Sequence, residues 1–379
     1  MKVAINAWFW DRPSVGSGQY LHHLVPALLE VDSTLEITLV VPERKLVHEA
    51  PHLLKLASVH PVRVRVGNLG KVWFEQRLFP RACRQVGADL AHVPYFGSPL
   101  APPLPTVVTI HDLIPMVLPE YRGGLSVRLY TSLVAAAAGQ ADLILTDSQA
   151  SSRDILARLH LPPERVRVVY LAPAPQFEPV VDWEALDAVK EKYGLPENFI
   201  LYMGGFDARK NVAALLHAWT WVARALGDEY PLVLAGQLPD GDSPLFPDPL
   251  PVARALGIDD LVITPGWIEE ADKPALYSAA QVFVYPSRYE GFGLPVLEAM
   301  ACGTPVVTTT AASLPELTGP HAFQIDPDDT KHLASPIIAL TVQEDTHQEM
   351  SERGLWQASQ FTWEKAAQQT LQAYQDVMV

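Results

Sequence analysis

Two carboxylates flank a glycine-containing turn in the stretch RYEGFGLPVLEAMACGTP, residues 288–305. Glu290 precedes the turn, and Glu298 follows Pro295, which suits the first turn of a helix. If every residue between them were helical, eight steps of ~1.5 Å would place the two acids ~12 Å apart on nearly one face. That span is close to the length of a sugar diphosphate. One acid could then hold a ribose and the other a hexose, because carboxylates accept hydrogen bonds from vicinal diols.

The turn between the two acids has the composition of an anion site. Gly291 and Gly293 precede a helix that we predict to run from Leu294 to Cys302, since glycine and proline follow it. Glycines leave the backbone amides accessible, and a helix N-terminus adds about half a positive charge. A phosphate group would fit this turn.

A second glycine turn supplies positive charge. The segment FILYMGGFDARKNVAALLHAW, residues 199–219, has the pattern of a strand, a turn that includes Gly205, and a helix. Arg209 and Lys210 stand immediately before Asn211, which we predict to be the N-cap. Two adjacent cations at the start of a helix match a diphosphate.

The charges are divided unevenly along the 379 residues. Residues 1–180 contain 17 Lys and Arg against 15 Asp and Glu, whereas residues 181–379 contain 11 against 28, so the halves carry +2 and −17. The net charge of −15 argues against a nucleic-acid partner, which normally requires a basic face. The asymmetry favours two domains with different partners.

Short apolar runs alternate with amphipathic helical segments along most of the chain, a pattern typical of βαβ units and of α/β proteins with parallel sheets. The pattern stops at the proline-rich segment APAPQFEPVVDW and then restarts. We therefore predict two Rossmann-like, doubly wound domains, residues 1–178 and 179–362, that face a central cleft. The segment PDGDSPLFPDPLP is expected to be an inserted loop.

Taken together, these segments resemble the retaining glycosyltransferases of family 4, which have the GT-B fold. Glu290 and Glu298 match the family's pair of glutamates, and GGFDARKN matches its Arg-Lys-Asn element. The resemblance extends through VGSGQYLHHL near the start, GWIEEADKPALYSAA, and the final segment FTWEKAAQQTLQAYQDVM. It covers nearly the full length and implies that the helix at 363–379 packs back on the first domain, which would bind the acceptor.

The resemblance implies roles for the charged residues of the second, donor-binding domain. Arg209 and Lys210 would stabilise the leaving diphosphate, Glu298 would bind the ribose hydroxyls, and Glu290 would contact the donor sugar. The backbone around Phe292, Gly293 and Leu294 would help to hold the phosphate or the sugar.

Further positions also match the family. His111, in TIHDLIP, corresponds to a histidine near the donor sugar, and Gly16 and Gly18 correspond to a loop that closes over the phosphates. Gly205 belongs to the glycine turn of the donor site. Trp267 and Ile268 fall where the family holds the nucleotide base.

The implied activity is transfer of a hexose, with retention of configuration, from a nucleotide-diphosphate sugar to a glycan, lipid-linked or small-molecule acceptor. The final segment is similar to mannosyl- and rhamnosyltransferases of surface polysaccharide synthesis, which favours GDP-mannose. Three alternatives stay open at this point: a sugar-nucleotide epimerase, a glycoside phosphorylase, and a non-catalytic sugar-nucleotide sensor. For His111, Gly16 and Gly18, purely structural roles are also open.

No cofactor or metal is expected, and the nucleotide sugar is a substrate. The alternative is a divalent cation at Asp240 and Asp242 or at Asp326 and Asp328, which spell an acid-x-acid pattern. No run of about 18 apolar residues occurs and the first residues lack the features of a signal peptide, so we expect a cytoplasmic chain. A peripheral membrane contact could come from a basic surface near Trp73 and Phe74, with Arg63, Arg65, Lys71, Arg77, Arg81 and Arg84.

Overall fold

The computed structural model describes residues 1–12, 15–43, 56–64 and 67–378. The chain divides into two compact units, residues 1–171 with 362–379, and residues 172–361. The first unit ends earlier than the expected residue 178 because Phe177 is buried against Tyr277 of the second unit. Phe361, whose ring lies 6.2 Å from that of Phe292, also belongs to the second unit.

The first unit contains a parallel sheet in the order β3-β2-β1-β4-β5-β6-β7, with helices between the strands. Its strands are β1 (Lys2–Asn6), β2 (Glu36–Pro42), β3 (Ser58–Val62), β4 (Leu90–Val93), β5 (Thr106–Thr109), β6 (Leu143–Thr146) and β7 (Val166–Val168). Its helices are α1 (Gly16–Val31), α2 (Asn68–Trp73), α3 (Phe79–Gln85), α4 (Ile114–Val117), α5 (Leu125–Ala138) and α6 (Gln149–Leu159). The central strands are apolar at successive positions because helices cover both faces of the sheet.

The second unit repeats this architecture with a parallel sheet in the order β10-β9-β8-β11-β12-β13. Its strands are β8 (Ile200–Met203), β9 (Leu232–Ala235), β10 (Val262–Gly266), β11 (Val282–Tyr285), β12 (Val306–Thr309) and β13 (Phe323–Ile325). Its helices are α7 (Trp183–Tyr193), α8 (Val212–Leu226), α9 (Pro249–Leu256), α10 (Lys273–Ala279), α11 (Leu294–Ala301), α12 (Leu314–Thr318), α13 (Thr330–Val342) and α14 (Glu344–Ala358). The prediction of two doubly wound Rossmann-like domains is confirmed.

The order of the strands reverses once in each sheet, between β1 and β4 in the first unit and between β8 and β11 in the second. In doubly wound sheets, ligands bind outside the carboxyl ends of the strands at this reversal, because the loops on its two sides turn in opposite directions and leave a crevice. Arg209 and Lys210 follow β8, and Glu290 follows β11. The topology of the second unit therefore predicts that these three side chains lie close together.

The final helix α15 (Trp363–Met378) packs on α1, β5 and β6 of the first unit. The hydroxyl of Tyr374 lies 2.6 Å from Nδ1 of His92, which is fully buried in β4. The indole of Trp363 stacks on His23, and Arg167 pairs with Asp376 at 2.6 Å. The helix is thus a structural part of the first unit.

Three local features differ from the sequence-based expectations. A π-helical turn at Phe74–Leu78 separates α2 from α3, within the segment WFEQRLFPRACRQVG, whose pattern is typical of a single helix. Helix α9 begins at Pro249, inside the segment expected to be an inserted loop, because Asp248 accepts a hydrogen bond from the amide of Leu250 and caps the helix. Helices α4, α7, α12, α13 and α14 were not predicted from the sequence.

The basic surface near Trp73 is smaller than expected. The ammonium of Lys71 lies 3.1 Å from the buried carboxylate of Glu75 and sits over the rings of Phe9, Tyr95 and Tyr130, and Phe74 is fully buried. Phe74 is therefore part of the core, and the half-buried Lys71 exchanges part of its hydration for a carboxylate and aromatic faces. Arg65 lies outside the described residues. Trp73, Arg63, Arg77, Arg81 and Arg84 are exposed.

Within the described ranges, no helix is long and apolar enough to cross a membrane.

Candidate active site

The loop after β8 holds Arg209 and Lys210 in a single 3-10 turn, Ala208–Lys210. Asn211 follows with a left-handed backbone (φ 58°) and occupies the N-cap position of α8, as predicted. Its side chain, however, makes no capping hydrogen bond to the helix. Its Nδ2 instead donates to the carbonyl oxygens of Pro286 and Pro327, at 3.1 and 2.9 Å. Asn211 thereby ties the Arg-Lys turn to the loop after β11, which carries Glu290.

Glu290 meets both cations. Its Oε2 lies 2.7 Å from Nη1 of Arg209, and its Oε1 lies 2.7 Å from Nζ of Lys210. The hydroxyl of Ser287 donates to Oε1 at 2.7 Å, and the hydroxyl of Tyr285 contacts the Lys210 ammonium. Lys210 and Glu290 are 8% and 7% exposed. The sheet reversal thus assembles a buried cluster of one carboxylate and two cations.

Within this cluster, each charged side chain favours the ionised form of the oppositely charged side chain beside it. Burial opposes ionisation of Glu290, but Lys210 and Arg209 outweigh it and lower the pKa of that carboxyl. Burial lowers the pKa of Lys210, and Glu290 counteracts part of this effect. Burial alone would also lower the pKa of Arg209, but Glu290 and Asp207, which is 3.0 Å from Nε, raise it. The side-chain cations are fixed before any ligand arrives.

The segment between the two glutamates begins as a glycine turn and is helical only from Leu294 onward. Helix α11 begins at Leu294, as predicted, so the ~12 Å spacing, which assumed a helix throughout, does not apply. Gly293 has φ 114°, a conformation that favours glycine, and a Cβ there would lie 3.0 Å from Cδ2 of Leu314. Phe292 is buried and Leu294 half-buried, and Ser313 donates to the carbonyl oxygen of Glu290 at 3.0 Å. The turn therefore has one tightly determined path.

Glu298 lies in α11, away from the cationic pair that binds Glu290. Tyr277 of α10 donates its hydroxyl to Oε2 at 2.9 Å, and the side chain is 5% exposed. Burial raises the pKa of Glu298 to about 7, and Lys273 lowers it only in part. The pKa of Glu290 is therefore lowered, whereas that of Glu298 is raised.

Three donor-site candidates line other turns of the second unit. Gly205 is exposed after β8, and its carbonyl oxygen accepts from Tyr202. Trp267 follows β10 and is 55% exposed, whereas Ile268 is buried in the core. Of these three residues, Trp267 alone presents a broad apolar face to solvent, and the buried side chain of Ile268 leaves only its backbone to contact a base.

The remaining candidates belong to the first unit. Gly16 and Gly18 lie in the first turn of α1, not in a loop as expected. A Cβ on Gly18 would lie 1.9 Å from the carbonyl oxygen of Arg12, whereas one on Gly16 would meet nothing within 4 Å. The requirement for glycine at position 18 is therefore steric.

His111 follows β5 and lies between two hydrogen-bond acceptors. Its Nδ1 is 2.7 Å from Oδ2 of Asp147, which follows β6, and its Nε2 is 3.3 Å from the carbonyl oxygen of Pro94. Both acceptors are satisfied only by a doubly protonated imidazolium. Burial would lower the pKa of His111, but Asp147 raises it above the ordinary value. The ring of Tyr20 packs edge-on against the imidazole, with centroids 5.1 Å apart.

Sequence reasoning missed Asp147, Ser287, Tyr285 and Tyr277, which hold the candidate side chains. Asp147, Ser287 and Tyr285 lie at or just after the carboxyl end of a strand, β6 or β11, which is the signal that could have found them. Tyr277 lies in a helix with an ordinary apolar pattern, and nothing local marks it as the partner of Glu298.

The two acid-x-acid segments make other contacts. Asp242 accepts from the amide of Asp248, and Asp326 accepts from the amide of Asp328, whose own carboxylate pairs with Arg288. Within the part of the chain that the structure describes, no three or more His, Cys, Asp or Glu side chains form a group that could hold a metal ion.

Known proteins match this chain along most of its length. Residues 15–172 match the family described as Glycosyltransferase Family 4, and residues 187–355 match Glycosyl transferases group 1. The chain is 37% identical to O-antigen chain mannosyltransferase B of Escherichia coli over 270 residues, 71% of this chain and 69% of that protein. It is 32% identical to serotype-specific mannosyltransferase WbdA of Escherichia coli over 271 residues, but spans only 32% of that longer protein.

Solved structures agree with the fold. Sucrose-phosphate synthase from Thermosynechococcus elongatus superposes with a TM-score of 0.74 at 22% identity, over 100% of this chain and 99% of that one. Anabaena HepE in complex with UDP-glucose gives 0.74 at 19% identity, over 99% of this chain and 100% of that one. Because the family matches are to transferases, the epimerase, phosphorylase and sensor alternatives are set aside. The chain is a glycosyltransferase with the GT-B fold and belongs to family 4, glycosyl transferases group 1.

Proposed function

We propose that the enzyme transfers mannose, with GDP-mannose as the first donor to test, to an acceptor in surface polysaccharide synthesis. The printed names of the relatives support the sugar and the process: O-antigen chain mannosyltransferase B, WbdA, and MMP alpha-(1->4)-mannosyltransferase, which is 33% identical over 238 residues. The nucleotide is the less constrained part of this proposal, because the exposed Trp267 offers an apolar face that suits any base.

The observation that carries the proposal is the buried cluster of Arg209, Lys210 and Glu290 at the reversal of the second sheet. Departure of a nucleoside diphosphate concentrates negative charge on its phosphate oxygens and leaves positive charge on the sugar. Fixed cations in a site shielded from water stabilise that negative charge strongly, since they need no reorganisation during the reaction. Arg209 and Lys210 supply such cations.

In the proposed reaction, the bond between C1 of the sugar and the diphosphate oxygen breaks and a bond from C1 to the acceptor hydroxyl oxygen forms. The hydroxyl proton passes to a phosphate oxygen of the leaving group, so attack occurs on the same face and configuration is retained. Glu290 is not the nucleophile in this scheme, because Arg209, Lys210 and Ser287 engage its carboxylate oxygens. It instead holds the two cations in place and, as proposed for donor binding, contacts the sugar.

We further propose that the reaction requires neither a metal nor a cofactor. In a metal-dependent transferase, the metal ion provides the positive charge that stabilises the leaving diphosphate. Here the side chains of Arg209 and Lys210 provide that charge. His111, held by Asp147, is proposed to lie near the donor sugar, and Glu298 to accept hydrogen bonds from the ribose. A peripheral membrane contact through exposed Trp73 and its neighbouring arginines completes the proposal.

The test is a thermal-shift panel of GDP, UDP, ADP and their sugar conjugates, with and without EDTA, followed by transfer assays with the best donor. A ligand at 100 times its dissociation constant stabilises a protein by about 2.7 kcal/mol. We expect GDP-mannose to stabilise the wild type independently of EDTA, and Lys210→Ala to lower the transfer rate by about 100-fold or more. Lys331→Ala, which removes an exposed lysine of the same unit, is the matched control.

Three results would count against this function. If no nucleotide sugar stabilises the protein, the proposed donor site is wrong. If EDTA abolishes activity, the proposed metal-independent mechanism is wrong. Equal transfer rates in Lys210→Ala and Lys331→Ala would show that the buried cluster does not act on the leaving diphosphate.

A further inference from the structure

A second group of cations lines a cavity in the first unit that the proposed donor chemistry does not use. The cavity has a volume of about 430 Å³ and lies between α4, α5 and the end of α6. Its lining includes Arg122, Arg128 and Arg158, together with His160 and the hydroxyl-bearing Thr131 and Ser132. We refer to it as the arginine cavity.

The three arginines come from separate elements but converge on one space. Arg122 follows the short turn after α4, Arg128 lies in the first half of α5, and Arg158 lies near the end of α6. Among the described residues, none of the three forms an ion pair, and no acidic residue lines the cavity. Side chains of like charge repel one another, so such an arrangement in a chain of net charge −15 favours an anionic ligand.

The geometry of Arg128 leaves its charged end available. Its Nε donates to the carbonyl oxygen of Gly123 at 3.3 Å, and this bond fixes the end of the guanidinium that joins the aliphatic chain. The terminal nitrogens of an arginine form a fork that matches two oxygens of one phosphate. Hydroxyls from Thr131 and Ser132 add neutral donors of the kind that complete phosphate sites.

The surroundings of the cavity indicate an amphiphilic ligand. Pro115, Met116 and Ala157 form apolar parts of its wall. Leu125 and Leu129 of α5, three residues before and one residue after Arg128, are 74% and 63% exposed. A soluble phosphate would gain nothing from these leucines, whereas a hydrocarbon chain attached to the phosphate can cover exposed apolar side chains on the helix that carries Arg128.

We propose that the arginine cavity binds a phosphate or diphosphate group, and that in this enzyme the group belongs to the lipid-linked end of the acceptor. The assignment of the lipid carrier rests on the proposed function, because it takes the acceptor to be a growing polysaccharide. The phosphate chemistry itself rests only on the arginines, the hydroxyls and the size of the cavity.

The first experiment measures binding of inorganic pyrophosphate by calorimetry to the wild type, to the double variant Arg128→Gln/Arg158→Gln, and to Arg153→Gln. Arg153 is exposed on α6 but does not line the cavity, so it is a matched control. Pyrophosphate binding at Arg209 and Lys210 is common to all three proteins and cancels in the comparison. We expect affinity to fall by about tenfold or more in the double variant alone. Equal affinities in the three proteins would overturn the site.

The second experiment identifies the source of the phosphate by vesicle flotation. Vesicles of phosphatidylcholine carry either phosphatidylglycerol or a long-chain prenyl diphosphate at equal surface charge. We expect the prenyl diphosphate to recruit the wild type and Arg153→Gln but not the double variant. If phosphatidylglycerol vesicles recruit the protein equally well, and the double variant loses this recruitment, the cavity binds a bilayer headgroup and not the lipid-linked acceptor.

A kinetic comparison separates this inference from the proposed function. The double variant should raise KM for a prenyl-diphosphate acceptor by about tenfold or more, while donor hydrolysis and transfer to a phosphate-free oligosaccharide stay unchanged. An unchanged KM for the prenyl-diphosphate acceptor would overturn the cavity's role. Failure of the wild type to use any sugar donor would instead count against the proposed function.

Discussion

At the scale of single residues, three titratable groups are held in different protonation states by their immediate partners. The pKa of Glu290 is lowered by two cations, burial raises the pKa of Glu298 to about 7, and Asp147 raises the pKa of His111 above its ordinary value. The two glutamates therefore acquire opposite pKa shifts through contacts that lie far apart in the sequence.

Asp147 is expected to set the charge of His111. Asp147→Asn removes the carboxylate that outweighs burial, so the pKa of His111 should fall from above its ordinary value to below it. Titration of the imidazole Cε1 resonance by NMR would measure the change. His92, whose pKa burial lowers to about 3, should not titrate between pH 5 and 9 in either protein and is an internal control.

An unchanged pKa of His111 in Asp147→Asn would show that Asp147 does not set the charge of the imidazole. If His111 acts as a cation, kcat should also fall at pH 7 in Asp147→Asn while KM for the donor changes little. Loss of folding, measured by circular dichroism, would appear at all pH values and can be separated from this effect.

Glu298 is expected to make donor binding dependent on pH. A carboxylate can accept both hydrogen bonds of a ribose diol, but its protonated form, favoured by burial below a pKa of about 7, cannot. The dissociation constant of the nucleotide sugar should therefore rise about tenfold from its high-pH plateau on going to pH 6. The diphosphate of a nucleotide sugar does not itself titrate in this range, so calorimetry with that ligand isolates the protein group.

In Glu298→Gln the affinity should be lower and independent of pH between 6 and 8. A pH dependence that survives this substitution would assign the titration to another group and remove Glu298 from the ribose site.

At the scale of elements, the strand-turn-helix units were predictable but their partners were not. Apolar runs and glycine turns are local signals, and they located β8, β11 and the start of α11. The contact of Tyr277 with Glu298 and the rings of Phe9, Tyr95 and Tyr130 around Lys71 depend on residues brought together by packing, which no local pattern encodes. The ~12 Å spacing assumed a helix throughout the segment, and that condition is not met because the glycine turn precedes α11.

The start of α1 allows a test of whether its two glycines have the same role. Gly18→Ala would place a methyl group 1.9 Å from the carbonyl oxygen of Arg12, so the preceding turn must move, and we expect a loss of about 1–3 kcal/mol of stability. Gly16→Ala meets no atom within 4 Å and should leave stability unchanged or slightly higher. Thermal unfolding of both variants measures the difference.

Equal stability of the two variants would show that the turn at Arg12 relaxes freely. Weaker donor binding in Gly16→Ala with unchanged stability would support the phosphate-binding role implied by the family for this position.

At the scale of the whole molecule, the chain leaves the first unit after residue 171 and returns to it at residue 362. The last helix, α15, is thus stabilised by residues from the opposite end of the sequence. Two kinds of contact anchor it: the buried hydrogen bond between Tyr374 and His92, and the exposed ion pair between Asp376 and Arg167.

The two anchors should differ in strength because water competes for only one of them. Tyr374→Phe leaves Nδ1 of fully buried His92 without its partner, and we expect a loss of about 1–3 kcal/mol of unfolding free energy. Arg167→Gln removes an ion pair whose side chains are 35% and 42% exposed, so a loss of no more than about 1 kcal/mol is expected. Chemical denaturation followed by circular dichroism measures both, and limited proteolysis reports release of the last helix. A larger loss in Arg167→Gln than in Tyr374→Phe would mean that the exposed end of α15, and not the buried tyrosine, holds the returning chain on the first unit.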